Sequence, residues 1–136
     1  MKEIKLDMGL QAYRLGAGVL RFNPADPNLY DRFRQATEKL QDMQKELQED
    51  TDTIGQLVRL DGQIKQLLGW VFGPGNDFDK MLEGVNLLSI TESGKTVIEG
   101  LLAALEPVLS SGAKRCVGEV CAQAVAKAKC RRERLS

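Results

Sequence analysis

Leu20-Arg21-Phe22-Asn23-Pro24-Ala25-Asp26-Pro27 decides the fold, because a short extended run there gives way at once to a long helical pattern. Asp26 is placed to cap the helix start, and Pro27 falls in the first turn, where a missing N–H costs nothing. Behind them Leu29, Phe33, Ala36, Leu40, Met43 and Leu47 recur at spacings of four, three, four, three and four. That spacing draws one apolar seam along a helix expected from Pro27 to Asp50, about 34 Å long. A seam of this kind packs into the chain's own core or takes up a helix of another chain. Leu29, Phe33, Leu40, Met43 and Leu47 are therefore candidate partner-binding residues, with an equal claim to be core.

Upstream, Ile4, Leu6 and Met8 alternate with Lys5 and Asp7, the period of a strand with one wet face. A second extended run, Leu10 to Leu15, reaches Gly16-Ala17-Gly18, and Val19 to Phe22 reads as the return strand of a hairpin. A sheet of two or three strands is marginal alone and needs helices against one face.

Downstream, Thr51-Asp52-Thr53 offers a break and a fresh cap before Ile54, Leu57, Val58, Ile64, Leu67, Leu68 and Val71 trace a second helix. Asp61 falls on that stripe and calls for a neighbour such as Arg59 or Lys65. Gly73-Pro74-Gly75-Asn76-Asp77 ends the helix, with Trp70 and Phe72 expected to plug its end. Phe78, Met81 and Leu82 fit a turn or two of helix. Val97, Ile98, Leu101, Leu102, Leu105 and Leu109 define another, which Pro107 is expected to kink or end. Ser110-Ser111-Gly112 then separates it from an alanine-rich helical stretch. The fold class is α+β: a small N-terminal antiparallel sheet packed against a mainly helical body of about four helices. Residues 1–112 form one domain, and residues 113–136 a basic helical tail that continues it.

With 43% hydrophobic residues and 19 basic against 19 acidic side chains in 136 residues, the composition is that of a single globular domain. The balance gives no global attraction to nucleic acid or to an anionic membrane. Apolar runs fall short of a membrane span, and a cytoplasmic location is expected. Three cysteines, Cys116, Cys121 and Cys130, with no histidine, do not compose a disulfide framework or a zinc site. The missing histidine also removes the usual general base near neutral pH. Glu92-Ser93-Gly94-Lys95-Thr96 ends like a nucleotide-binding loop, but the first glycine that such a loop requires ahead of Gly94 is missing. No cofactor is implied. From Lys114 to the end there are seven basic and two acidic residues. Lys127, Lys129, Arg131, Arg132 and Arg134 are the candidate basic tail, either dipole-matched cations or an arm for an acidic partner.

With this order of segments, the chain resembles small prophage-encoded proteins of Gram-positive bacteria that look like tail assembly chaperones of long-tailed phages. The resemblance rests on Leu6-Asp7-Met8-Gly9 with Tyr13, on Val19 to Asp26, on the charged helix behind them, and on Val71-Phe72-Gly73 with Phe78 and Leu82. It implies a non-enzymatic protein that keeps a helical tape-measure-type partner soluble until tail tube subunits assemble, itself a homo-oligomer. The competing expectation is a nucleic-acid-binding packaging or regulatory protein that uses the basic tail.

Overall fold

The computed structural model describes residues 1–47, 49 and 52–135. Strands β1 (Gln11–Leu15) and β2 (Gly18–Phe22) pair antiparallel, Gln11 opposite Phe22 and Leu15 opposite Gly18. Gly16, at φ +57°, turns the chain between them. Helices α1 (Pro27–Lys45), α2 (Thr53–Phe72), α3 (Phe78–Met81) and α4 (Val97–Leu135) follow. The fold is small α+β, a two-stranded sheet with four helices among the described residues.

Asp26 caps α1 by accepting from the Asn28 N–H at 2.9 Å, with Pro27 opening the helix. Leu29, Phe33, Ala36 and Leu40 of α1 meet Leu60, Ile64, Leu68 and Val71 of α2 and Ile98, Leu101, Leu105 and Leu109 of α4 in one core. Leu20 and Phe22 of β2 join it, and Tyr13, Phe22, Phe72 and Phe78 form a chain of ring contacts with centroids 4.8 to 5.6 Å apart. The sheet is thus held by its inner face, as a two-stranded sheet must be.

Several expectations are corrected. Residues 1–10 form no strand, and Ile4, Leu6 and Met8 are exposed. Gly9 at φ +70° redirects the chain, the Met8 carbonyl accepts from the Asn23 side chain, and β1 begins only at Gln11. Helix α1 ends at Lys45, so Leu47 lies beyond it; Asp50 lies outside the described residues. Ile54 and Val58 are exposed, and Leu60 takes their place on the buried face of α2. Trp70 is 50% exposed, so Phe72 alone plugs the end of α2.

The largest correction concerns α4, which runs unbroken for 39 residues through Pro107 and Ser110-Ser111-Gly112. Pro107 lies on the exposed side, where water can serve the carbonyl it leaves without an N–H partner. Leu105 and Leu109 on either side are buried, and their packing outweighs a proline penalty of about 3 kcal/mol. Gly112 is a contact point instead of a break: a Cβ there would collide with the Pro24 carbonyl oxygen. Its missing side chain lets α4 lie directly on the loop between β2 and α1.

Candidate functional site

The structure divides the predicted partner-binding residues into two groups. Leu29, Phe33 and Leu40 are 2 to 3% exposed and belong to the core. Only Met43 and Leu47 keep surface, both packed at the edge of that core. Among the apolar surfaces open to another molecule, two lie on the long helices, one of them reaching Met43 at the edge of the seam.

The first is a groove between α1 and α2, about 740 Å³ in volume. Met43, Leu67 and Trp70 form its apolar floor, with Gln35, Lys39, Gln63 and Gln66 on its rims. It continues past Met43 into a shallower hollow bordered by Glu46, Leu47 and Arg59. Sequence reading missed the groove because Leu67 and Trp70 were assigned to the core. The signal is angular: at 100° per residue Leu67 and Trp70 lie progressively off the line joining Leu60, Ile64, Leu68 and Val71.

The second is the outer half of α4. Gly112 is the last buried residue among those described. Beyond it Val117, Val120 and Val125 are 59 to 68% exposed, and Lys127, Lys129, Arg131, Arg132 and Arg134 all lie in solvent. Cys116 is half-buried, Cys121 and Cys130 are exposed, and all three are free thiols. Among the described residues, 113–134 are exposed except for the half-buried Ala113 and Cys116, although isolated helices of such length are marginal.

Polar groups tie the groove's frame together. Arg32 of α1 reaches across to α2 and donates from Nε and Nη2 to the Val71 carbonyl at 3.1 and 3.0 Å. It thereby serves an orphan carbonyl of the last turn of α2 and fixes the separation of the two helices there. Asn76 seals the free edge of β2, accepting from the Arg21 N–H and donating to the Arg21 and Phe72 carbonyls, all at 2.9 Å.

On the opposite side of α2, Lys65 is almost fully buried and holds the segment after α3 in place. Its Nζ lies 2.9 Å from Asp61 and 2.6 Å from Asp79, and donates to the Val85 carbonyl at 3.0 Å. Asp61, expected to pair with Arg59 or Lys65, pairs with Lys65 and also accepts from the Leu87 N–H at 2.7 Å. Burial pulls the Lys65 ammonium downward, but its hydrogen bonds to Asp79 and Asp61 prevail and hold it above the ordinary lysine value. Leu87, held by this arrangement, is fully buried under α4.

The Gly94-Lys95-Thr96 loop is built as a tight connection. Ile90 and Thr96 bridge its ends, Thr91 bonds the Lys95 carbonyl, and the Thr96 hydroxyl accepts from the Glu99 N–H in the first turn of α4. No group of three or more His, Cys, Asp or Glu able to hold a metal occurs among the described residues. No described helix is long and apolar enough to cross a membrane. Comparison of the chain with protein-family models, with curated proteins and with solved structures finds no match.

Proposed function

We propose that this chain is a non-enzymatic assembly chaperone or scaffold of the phage tail kind, which keeps a helical tape-measure-type partner soluble through apolar helix faces. The observation that carries the reading is the outer half of α4, a long helix whose valines Val117, Val120 and Val125 are exposed. The α1–α2 groove adds a second apolar surface of helical dimensions. Amphipathic helices of a partner are taken up by such surfaces through residues at i, i+3, i+4 and i+7. On this reading the buried seam of Leu29, Phe33 and Leu40 makes the scaffold rigid and leaves the exposed surfaces to make contact.

The test is co-expression with a helical tape-measure-type protein of a long-tailed phage. The partner is expected in the soluble fraction with the wild-type chain and in the pellet with the variant V120E/A124E, whose fold is checked by circular dichroism. Equal partner solubility with and without the chain refutes the proposal. Duplex DNA bound at physiological salt, with affinity falling steeply as salt rises and lost on neutralising Lys127, Arg131 and Arg132, would establish the nucleic-acid reading instead.

A further inference from the structure

We propose that the open edge of β1 is a strand-addition site for an acidic extended segment of another protein. The inference stands on the hairpin alone and does not depend on the tail-assembly reading.

The two edges of the hairpin differ. In an antiparallel pair, opposed residues alternate between those that bond each other and those whose N–H and C=O point away. Arg21 stands opposite Ala12, and its N–H and C=O bond the Asn76 side chain, so this pair points outward on both strands. The same alternation turns the N–H and C=O of Arg14 outward from β1. Asn76 thus closes the β2 edge at Arg21, whereas on the β1 edge no group among the described residues bonds the backbone of Ala12 or Arg14, and both residues are exposed. The run Gln11–Leu15 holds no proline and pairs without a bulge, two of the devices that close an edge. Four backbone groups are therefore free to pair with an extended chain. A helix cannot use them, since its own N–H and C=O groups are already spent on each other.

The faces of the hairpin say which extended chain fits. Tyr13 and Leu15 share the inner face with Leu20 and Phe22, but they are only half-buried, at the rim of the core. Apolar residues at alternate positions of an added strand would carry the core over them. Arg14, Val19 and Arg21 share the exposed outer face with Ala12. Arg14 lies opposite Val19 and Arg21 opposite Ala12, so the two guanidinium groups sit diagonally across the strands. Neither pairs with a carboxylate among the described residues. Carboxylates at the other alternate positions of the added strand would meet Arg14 directly, and Ala12 is too small to bar their reach to Arg21. The fitting segment alternates apolar and acidic residues. Two β1 edges set against each other would instead bring arginine towards arginine, which selects a partner other than a second copy.

The length of the edge sets the strength. Five residues of strand span about 17 Å, so the contact buries well under about 1,000 Å² and a Kd of about 0.1 to 1 mM is expected for a short peptide. The two exposed arginines together contribute about tenfold to it, less at high salt.

The experiment titrates the isotope-labelled chain, followed by amide NMR, with a capped peptide of about eight residues in which valine and glutamate alternate. Amide exchange is expected to slow at Ala12 and Arg14 and to stay unchanged at Tyr13, whose N–H already bonds β2. A valine–lysine peptide of equal length should bind at least about tenfold more weakly, and R14Q/R21Q should weaken the glutamate peptide about tenfold. R14E/R21E should reverse the preference between the two peptides. All four substitutions fall on exposed side chains, and circular dichroism verifies the folds. The proposal is overturned if the glutamate peptide causes no saturable shift by about 3 mM, or if the lysine peptide binds equally well. Shifts centred on the Trp70 indole would assign the peptide to the α1–α2 groove and overturn it too. So would exchange at Ala12 and Arg14 that slows with rising concentration of the chain alone, which gives the edge to a second copy, or duplex DNA that shifts Arg14 and Arg21 where the peptide does not.

Discussion

Replacing Lys65 by Met removes the ammonium while keeping much of the apolar stem, so the change reads the polar contacts of this residue. Three contacts are lost, but they are unequal. Asp79 is 67% exposed, so its bond to Lys65 is worth no more than about 1 kcal/mol despite being the shortest. Asp61 is only 14% exposed, and without Lys65 it becomes a buried carboxylate with no cation. Breaking such a pair costs about 3–5 kcal/mol, and the Leu87 N–H that Asp61 retains places this case at the lower end, near 3 kcal/mol. For a chain of 136 residues that is a fall in Tm of roughly 10 °C. Thermal and urea denaturation at low protein concentration measure it. Asp79→Asn should cost under about 1 kcal/mol, and K65M/D61N should cost less than the two single changes together by about 1–2 kcal/mol.

The same residue fixes a pH dependence. Lys65 titrates higher in the folded chain than in the unfolded one, so its contribution is complete below the unfolded value of 10.5 and fades as pH rises through the folded value. Above pH 10.5 the wild type should lose stability faster than K65M. The reasoning is refuted if K65M lies within about 0.5 kcal/mol of wild type, or if Asp79→Asn costs as much as K65M.

Gly112→Ala should destabilise the chain by about 1–3 kcal/mol in urea titration, because its methyl must displace the Pro24 carbonyl. Asn76→Ala leaves Arg21 and the end of α2 without three hydrogen bonds and should cost about 2–3 kcal/mol, with faster amide exchange at Arg21. Phe33→Ala should cost about 3–5 kcal/mol as a core cavity, whereas Val120→Glu on the exposed helix should change Tm by less than about 2 °C.

Local punctuation in the sequence specified much of the fold. Asp26 and Pro27 start α1 where both are read to start it, Gly16 turns the hairpin, and the Gly73-Pro74 pair stops α2. These signals act through φ, N–H supply and capping, all of which are properties of a few adjacent residues. The misreadings arise where distant contacts override such signals. Pro107 and Gly112 carry helix-breaking marks, but Leu109 packs on the core and Gly112 rests on Pro24, so α4 continues. Ile4, Leu6 and Met8 have the period of a strand, but that period cannot supply a neighbouring edge. The exposed surfaces were least legible of all, because the spacing of Leu29 to Leu47 is the same whether the seam faces inward or outward.

The unbroken course of α4 gives the molecule a phase. Everything beyond Gly112 inherits its azimuth from the part gripped by the core, since no joint intervenes. Inserting one residue after Gly112 would swing the valine side by about 100°, and two would aim it nearly backwards. Inserting seven would advance it by about 10 Å and return it close to its original bearing. Tolerance of this segment to insertion should therefore follow a rotational rhythm instead of simple length.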